Sequence, residues 1–383
     1  MPEPFKNMIN LDLIAHMADA FDKASAALKY HDFSAAKFVS LAGHELETLE
    51  LKQRADQICT SMKQTLPSDF LLAAAIIHSS LAPVQLNQNT DDIGDEGISG
   101  WGIWPITTYA GLYGIEYFDE GLRLLKEATK RLSSEFGIRY FILADPDRCM
   151  ATIKKWAADE NYHVRRLASE GSRPRLPWGM QLPMYVNDPS PLLPLLDSLK
   201  DDSEEYVRRS VANNLNDIAK DHPDVVAEIA TKWLKDANKN RIRMVKHACR
   251  TLLKQGHPVV LDAFGFSPID TSTAKLSLDK SEIKMGESIT FTFELPAFSV
   301  TKSKTKQQNL MIDYVIHHQK ANGKTTPKVF KWKNLSDTDG SAISASKTHV
   351  FKPITTRVYH SGEHFVEILV NGVSAGKSGF MLS

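Results

Sequence analysis

The chain has 383 residues, of which 42% are hydrophobic and 24% are charged, and its formal net charge is zero. This length exceeds one ordinary core, so about two or three domains are expected, and no apolar run reaches the roughly 18 residues that span a membrane. The zero net charge argues against bulk binding of polyanions but leaves room for a local basic face.

Cysteines and histidines show no spacing typical of metal ligands. Cys59, Cys149 and Cys249 lie far apart and form no CxxC pair, and the 13 histidines are scattered. The first residues, MPEPFKNMINLDL, lack the basic and apolar segments of a secretory signal. We therefore expect a cytoplasmic protein that holds no structural metal ion and no cofactor.

Residues 1 to about 265 have the periodicity of helices. The apolar run at residues 70–77 predicts a buried helix. The segment at residues 86–104 is rich in Asn, Asp and Gly and predicts a long surface loop. Trp101, Trp104 and Tyr109 serve either as core anchors or as an aromatic platform, and burial tendencies favour the core.

An internal repeat begins near residue 159. DENYHVRRLASEG, from Asp159, matches DSEEYVRRSVANN, from Asp202, and the segment from Leu199 matches the one from Leu234, 35 residues later. Helical units that recur every ~35 to 45 residues are typical of HEAT-type solenoids, which stack helix pairs. The sequence therefore predicts a mainly α fold, with an α-solenoid of HEAT-like repeats over residues 1–266.

The last of these repeats carries a basic stripe. Over residues 240–255 the apolar side chains share one helix face, and four basic side chains fall three or four positions apart on another, namely Arg243, Lys246, Arg250 and Lys254. Such a row suits the phosphates of a nucleic acid. For one helix alone a solvated face is the simpler interpretation, but an arginine at the same position of three successive repeats favours nucleic acid.

The pattern changes after residue 266. Apolar and polar residues alternate at residues 289–295 and in later runs, and Asn322-Gly323 and Asn371-Gly372 lie between such runs as hairpin turns. About seven strands in about 115 residues predict an immunoglobulin-like β-sandwich over residues 267–383. A phosphate site and a solubilising loop both remain open for three alternate lysines, Lys302, Lys304 and Lys306.

The segment Asn161–Trp178, NYHVRRLASEGSRPRLPW, groups four arginines, one glutamate and one tryptophan. Glu170 and Gly171 interrupt the helical pattern, and Pro174 and Pro177 fix the path of the chain afterwards. This grouping suggests a site that handles phosphate and positive charge together.

Three segments together resemble the AlkC branch of the bacterial DNA alkylation repair glycosylases, HEAT-like-repeat relatives of AlkD. They are SSEFGIRYF from Ser133, WAADENYHVRRLASEGSRPRLPW from Trp156, and EPFKNMIN at the start. The resemblance covers the helical region, and some members also carry a C-terminal immunoglobulin-like domain. It implies base excision repair by hydrolysis of the N-glycosidic bond of small cationic alkylated bases, chiefly 3-methyladenine, with 3-methylcytosine and 1-methyladenine as further candidates.

The resemblance also implies double-stranded DNA as the partner and attack without the usual extrusion of the base. We expect a monomer that associates with the nucleoid through DNA. No lysine stands in a motif for Schiff-base chemistry, so the hypothesis is a monofunctional hydrolase. The alternatives are a HEAT-repeat protein that binds bent or branched DNA without chemistry and a protein-binding solenoid.

Catalytic candidates follow from the matching segments. Glu135 and Glu170 are assigned to oppose the charge of an oxocarbenium-like sugar and to orient water, and Trp178 to attract the cationic base. Asp217, one repeat later, is a weaker carboxylate candidate. The simpler alternatives are a first-turn acid for Glu135, an ion pair for Glu170 and a core aromatic residue for Trp178.

The phosphate contacts are assigned mainly to arginines, because guanidinium matches phosphate oxygens in a bidentate way. Some members of the cluster are expected to be structural. The set consists of Arg139, Arg165, Arg166, Arg173, Arg175, Arg208, Arg243, Lys246, Arg250 and Lys254, with Asn213 at the position that Glu170 holds one repeat earlier.

Overall fold

The computed structural model describes residues 4–84, 96–299, 309–336, 338–353 and 358–383. The chain divides into two compact units, Met1–Asp221 and His222–Ser383. Part of the predicted surface loop, residues 85–95, lies outside the described residues, as does the lysine loop at residues 302–306. Among the described residues, no helix has the length and hydropathy needed to cross a membrane.

The described part of the first unit is built from α-helices and short 3-10 turns. The α-helices are α1 Leu11–Ala27, α2 Ala35–Gly43, α3 Leu51–Thr65, α4 Phe70–Ser80, α5 Ile103–Tyr113, α6 Phe118–Ala128, α7 Ile138–Ala144, α8 Pro146–Trp156, α9 Tyr162–Gly171, α10 Pro183–Asn187, α11 Leu193–Leu199 and α12 Glu205–Ile218. Side chains of Asn10, Ser34, Asp69, Asp145 and Asn161 accept hydrogen bonds from the first N–H groups of their helices, which lack partners within the helix.

Helix α4 confirms the predicted helix at residues 70–77, and most of its apolar side chains are buried, although Leu71 is half exposed. In α5, Tyr109 is fully buried, as the core interpretation predicts. Trp101 and Trp104 are only partly buried and lie in a row of ring contacts. Trp104 stacks on Phe136 with ring centroids 5.2 Å apart.

Helices α9 and α12 are the second helices of two successive repeats, and they pack against each other. Their apolar faces are buried, with Val164 and Leu167 on α9 and Val207 and Val211 on α12. The mainly α, HEAT-like-repeat character predicted from the internal repeat is confirmed.

The second unit begins with helices and continues as β-structure. Its helices are α13 Pro223–Leu234, α14 Lys239–Ala248, α15 Arg250–Gln255 and α16 Pro258–Ala263. Its strands are β1 Lys275–Leu278, β2 Glu282–Ile283, β3 Ser288–Leu295, β4 Leu310–Gln319, β5 Thr325–Leu335, β6 Ile343–Val350, β7 Gly362–Val370 and β8 Val373–Leu382. The predicted boundary at residues 266 and 267 falls between α16 and β1, within this second unit.

The strands form two sheets, one in the order β1-β3-β6 and one in the order β2-β8-β7-β4-β5. Pairing is antiparallel except between β2 and β8. Alternate apolar residues of both sheets form one core, which includes Phe291, Phe293, Ile312, Ile316 and Ile368. This confirms the predicted immunoglobulin-like sandwich.

The two predicted hairpin turns join neighbouring strands. Asn322-Gly323 lies between β4 and β5, and Asn371-Gly372 lies between β7 and β8. Asn371 and Gly372 have φ values of 47° and 79°, the left-handed conformation that a two-residue hairpin requires. At Gly372 an added Cβ would lie 2.5 Å from Cα of Gly256, so the close contact with α15 requires glycine there.

Candidate active site

Glu170 lies in the last turn of α9 and is 5% exposed. Its Oε2 accepts a hydrogen bond from Oγ of Ser210 at 2.6 Å, and its Oε1 accepts one from Nη1 of Arg173 at 2.6 Å. Nη2 of Arg166 lies 3.6 Å from Oε1. A buried carboxylate needs such donors in place of water, and they hold Glu170 in one orientation.

Glu135 contacts the same arginine. Its Oε2 accepts hydrogen bonds from Nη1 of Arg166 and from Oγ of Ser133, both at 2.6 Å. Burial disfavours the charge of Arg166, but Glu135 and Glu170 outweigh it and raise the pKa of this guanidinium above its ordinary value. Arg166 therefore bridges the two carboxylates that the sequence singles out, although they lie 35 positions apart.

Asp217, on α12, extends this arrangement. Its carboxylate is buried and accepts hydrogen bonds from Nε of Arg173 at 2.8 Å and from Nζ of Lys220 at 2.9 Å. Burial disfavours the charge of Arg173, but the hydrogen bond that it donates to Asp217 and the charge of Glu170 outweigh burial and raise the pKa of Arg173. We call the set Glu135, Glu170, Asp217, Arg166, Arg173 and Lys220 the carboxylate network; it pairs three negative with three positive charges.

The sequence of α12 explains why these groups meet. Ser210, Asn214 and Asp217 follow one another at spacings of four and three residues, so they share the helix face that packs on α9. Nδ2 of Asn214 donates to the carbonyl oxygen of Ser169 at 2.8 Å. A polar row within an otherwise apolar face thus positions the end of α9 and its glutamate.

Aromatic side chains cover Arg166. The guanidinium lies 4.7 Å from the ring centroid of Tyr206, which also contacts His163 and Tyr162. Burial, and then the charge of Arg166, lowers the pKa of His163 to about 4, so this imidazole is neutral at physiological pH. Burial raises the pKa of Tyr206, so its hydroxyl also stays neutral.

Trp178 is 80% exposed and has a φ of 62°. The alternative of a core aromatic residue is therefore wrong. A non-glycine residue in the left-handed region costs about 1–3 kcal/mol and persists only where its surroundings impose it, and such strain clusters at functional sites. The loop thus holds an indole ring in solvent at a conformational cost.

Arg139 imposes the path of this loop. It is fully buried, and its guanidinium donates to the carbonyl oxygens of Met180, Gly171 and Arg173. Burial, and then the nearby charge of Arg173, lowers the pKa of Arg139 to about 10. The expectation that Arg139 contacts phosphate is contradicted by this burial, which gives it a structural role.

The first arginine of each VRR motif also has a structural role. Nη1 of Arg165 donates to the carbonyl oxygens of Asp159 and Glu160, and Nη1 of Arg208 donates to the equivalent pair one repeat later. Arg165 additionally pairs with Asp202, with Nε 2.6 Å from Oδ2. Both were expected to contact phosphate, but their donors instead fix the turn that precedes α9 or α12.

Three more predicted DNA contacts lie in the same unit. Arg173 is buried in the carboxylate network, where Glu170 and Asp217 occupy its donors, so it too is placed as a structural partner. Arg175 pairs with Asp221 through two hydrogen bonds of 2.7 and 2.8 Å. Asn213 is half-buried on α12.

The basic stripe belongs to the second unit. The single helix expected over residues 240–255 is two helices, because α14 ends at Ala248 and α15 begins at Arg250. Arg243, Lys246 and Lys254 are exposed, whereas Arg250 is half-buried and donates to the carbonyl oxygen of His247 at 2.9 Å.

Sequence reasoning missed Ser133, Ser210, Tyr206 and His163, which orient or cover the network. The repeat alignment carries a signal for Tyr206, because it occupies the position of His163 one repeat later. Among the residues that the structure describes, no group of three or more His, Cys, Asp or Glu side chains could hold a metal ion.

Two family models match the chain. The one described as DNA alkylation repair enzyme covers residues 133–252, which include all four predicted catalytic residues, and the one for the C-terminal Ig-like domain of the uncharacterised protein YhaZ covers residues 272–383. The chain is 35% identical over 345 residues to the uncharacterized protein YhaZ of Bacillus subtilis (strain 168), with 90% of each chain covered.

A solved structure is similar over the full length of the chain. It is the Pseudomonas fluorescens alkylpurine DNA glycosylase AlkC bound to DNA containing an abasic site analog, with 32% identity, 100% of both chains covered and a TM-score of 0.82. Both the identity and the coverage are high enough to show common family membership. The chain therefore belongs to the AlkC branch of the DNA alkylation repair glycosylases.

Proposed function

We propose that the protein hydrolyses the N-glycosidic bond of small cationic alkylated bases, chiefly 3-methyladenine, in double-stranded DNA. The observation that carries this proposal is the pair Glu135 and Glu170, bridged by the single guanidinium of Arg166. A protein that only binds DNA has no use for carboxylates here, because they repel phosphate. A glycosylase does have a use for them, because positive charge develops on the sugar as the bond breaks.

The charge of the substrate explains why the site needs little acid catalysis. A base alkylated at a ring nitrogen is cationic, so it leaves without being protonated first. The remaining tasks are to stabilise the oxocarbenium-like sugar and to direct water at it, and carboxylates perform both. This agrees with a site made of bound carboxylates and a His163 that stays neutral.

The two glutamates are suited to different tasks. Both carboxylate oxygens of Glu170 have hydrogen-bond donors, and its side chain is 6% exposed. The side chain of Glu135 is 17% exposed, and its hydrogen bonds among the described residues all engage Oε2. We therefore assign Glu135 to the sugar and the attacking water, and Glu170 to positioning through Arg166.

Trp178 is assigned to the cationic base or the neighbouring nucleotide. Its indole is held in solvent, where a cation over the ring gains about 0.5 to 2 kcal/mol. We further propose that the abasic product is left uncleaved, because Lys220, the lysine of the carboxylate network, is ion-paired with Asp217 instead of standing as a free amine.

The test is to incubate the protein with methylated duplex DNA and measure the free bases by chromatography. Wild type should release 3-methyladenine, and the double variant Glu135→Gln/Glu170→Gln should release almost none. Glu116→Gln, at an exposed glutamate of the same unit, is the matched control and should behave as wild type. No release by wild type, together with salt-dependent DNA binding, would instead favour a binding protein without chemistry.

A further inference from the structure

The second arginine of each VRR motif has a different environment in the two repeats. In the first repeat Arg166 is bound to Glu135 and covered by Tyr206. In the second repeat the same position is Arg209, which is exposed. Among the residues that the structure describes, no ion pair or hydrogen bond engages the side chain of Arg209.

Arg209 lies beside the carboxylate network. It directly precedes Ser210, whose hydroxyl donates to Glu170, and it follows Tyr206 by one helical turn. Tyr206, Arg209 and Asn213 are spaced by three and four residues, so they form one row along α12 that is about 10 Å long at 1.5 Å per residue. The row borders the buried side of α12, which carries Asp217 and Ser210, the hydrogen-bond partner of Glu170.

The charges around Arg209 show why this residue is suited to bind a phosphate. The carboxylate network pairs its three negative charges with three positive ones, so it offers no spare cation to a phosphate. Arg165, Arg173 and Arg175 would each have to give up protein partners to bind one. Arg209 gives up only water, and its guanidinium matches phosphate oxygens.

We infer that Arg209 binds a backbone phosphate of the DNA substrate beside the carboxylate network. The repeat motif thus supplies a cation twice, once to hold the carboxylates and once to hold the DNA that they act on. This inference rests on the proposed function, since it takes alkylated duplex DNA as the ligand of this face.

The experiment measures the affinity for a DNA duplex that contains a stable abasic-site analogue, at several salt concentrations. The proteins compared are wild type, Arg209→Gln, Arg209→Lys and Arg123→Gln. Arg123 is the matched control, because it is a half-exposed arginine of α6 that pairs with Glu120. Arg209 is exposed, so its variants should melt as wild type does.

Arg209→Gln should weaken binding roughly three- to tenfold at low salt and lower the slope of log K against log salt by about 1, because one phosphate contact is lost. Arg209→Lys should restore most of the slope, and Arg123→Gln should match wild type. Equal affinity and slope for Arg209→Gln and Arg123→Gln would overturn the inference.

Base release by wild type, measured in parallel, separates this inference from the proposed function. Release without an effect of Arg209→Gln on binding refutes the inference alone. Absence of release, with a lowered slope for Arg209→Gln, refutes the proposed activity and supports Arg209 as a DNA contact.

Discussion

Replacing Arg166 with glutamine tests the architecture of the site most directly. The substitution removes the one side chain that binds both Glu135 and Glu170. Removing one partner of a buried ion pair costs about 3–5 kcal/mol, because the other charge stays buried. Here Glu170 keeps Arg173 and Ser210 and Glu135 keeps Ser133, so we expect the lower part of that range, about 3–4 kcal/mol.

For a unit of this size, a loss of 1 kcal/mol lowers the melting temperature by about 2–4 °C. Arg166→Gln should therefore melt roughly 5–15 °C below wild type in calorimetry of the full chain. The pKa of Arg166 is raised in the folded protein, so its stabilising charge is fully present below its ordinary pKa and is lost only at higher, strongly alkaline pH. The difference in melting temperature should consequently be present throughout pH 6 to 9.

The rate of base release provides a second measurement of the same variant. Without Arg166, Glu135 loses its anchor, and a misplacement of about 1 Å costs on the order of 10²-fold in rate. Arg166→Lys keeps the charge but cannot bridge two carboxylates with one planar group, so its rate should be intermediate. Arg123→Gln, which breaks an exposed pair, should cost less than about 1 kcal/mol. An Arg166→Gln protein that melts and excises as wild type does would refute the bridging role.

The other predictions concern the rest of the site. Glu135→Gln should lower the single-turnover rate of base release with little change in melting temperature. Glu170→Gln should lower both the rate and the melting temperature, because the carboxylate of Glu170 accepts hydrogen bonds on both oxygens. Equal melting temperatures of the two variants would contradict this difference. His163 is held neutral with a pKa of about 4, so its contribution to stability is present above its ordinary pKa and is lost as the pH falls from about 6.5 towards 4. The variant His163→Phe should therefore show a smaller fall in melting temperature between pH 7 and pH 5 than wild type does. An equal fall in both proteins would show that His163 does not cause it. Trp178→Gly should leave the melting temperature equal or slightly higher, because glycine adopts a positive φ without strain and the position is exposed. The same variant should reduce base release several-fold. A large loss of stability would mean that the indole packs against the protein.

Features with a regular period were predictable from the sequence. The alternation at residues 289–295 is strand β3, and Asn371-Gly372 forms the predicted turn, since few other residue pairs adopt its positive φ values. The break between α14 and α15 was not predictable. Val245, Cys249 and Leu252 are buried on both sides of it, so the apolar period continues through the break.

The sequence singles out three carboxylates that the structure brings together, but it does not sort the arginines beside them. Glu135 and Glu170 lie in segments that carry the family resemblance, and the structure brings them to one guanidinium. The arginines could not be sorted in the same way, because the task of each depends on which carbonyl or carboxylate lies within reach after folding. Arg139 donates to main-chain oxygens that lie 32 to 41 positions away in the chain, and no local pattern encodes their positions.

The VRR motif occurs in two successive helical repeats, and its two copies contribute to the candidate site in different ways. Each VRR motif places one arginine against the preceding turn, where it donates to main-chain carbonyl oxygens, and a second arginine one position later on a different face of the helix. Within the described part of the chain, the second arginine of the motif makes no contact that holds the turn, so it can have a different function in each repeat. At Arg166 it balances carboxylates that would otherwise repel each other and DNA. At Arg209 it stays exposed, so two repeats of one motif present buried negative charge and accessible positive charge on neighbouring helices of the structure. The proposed substrate, a cationic base attached to an anionic backbone, would require both.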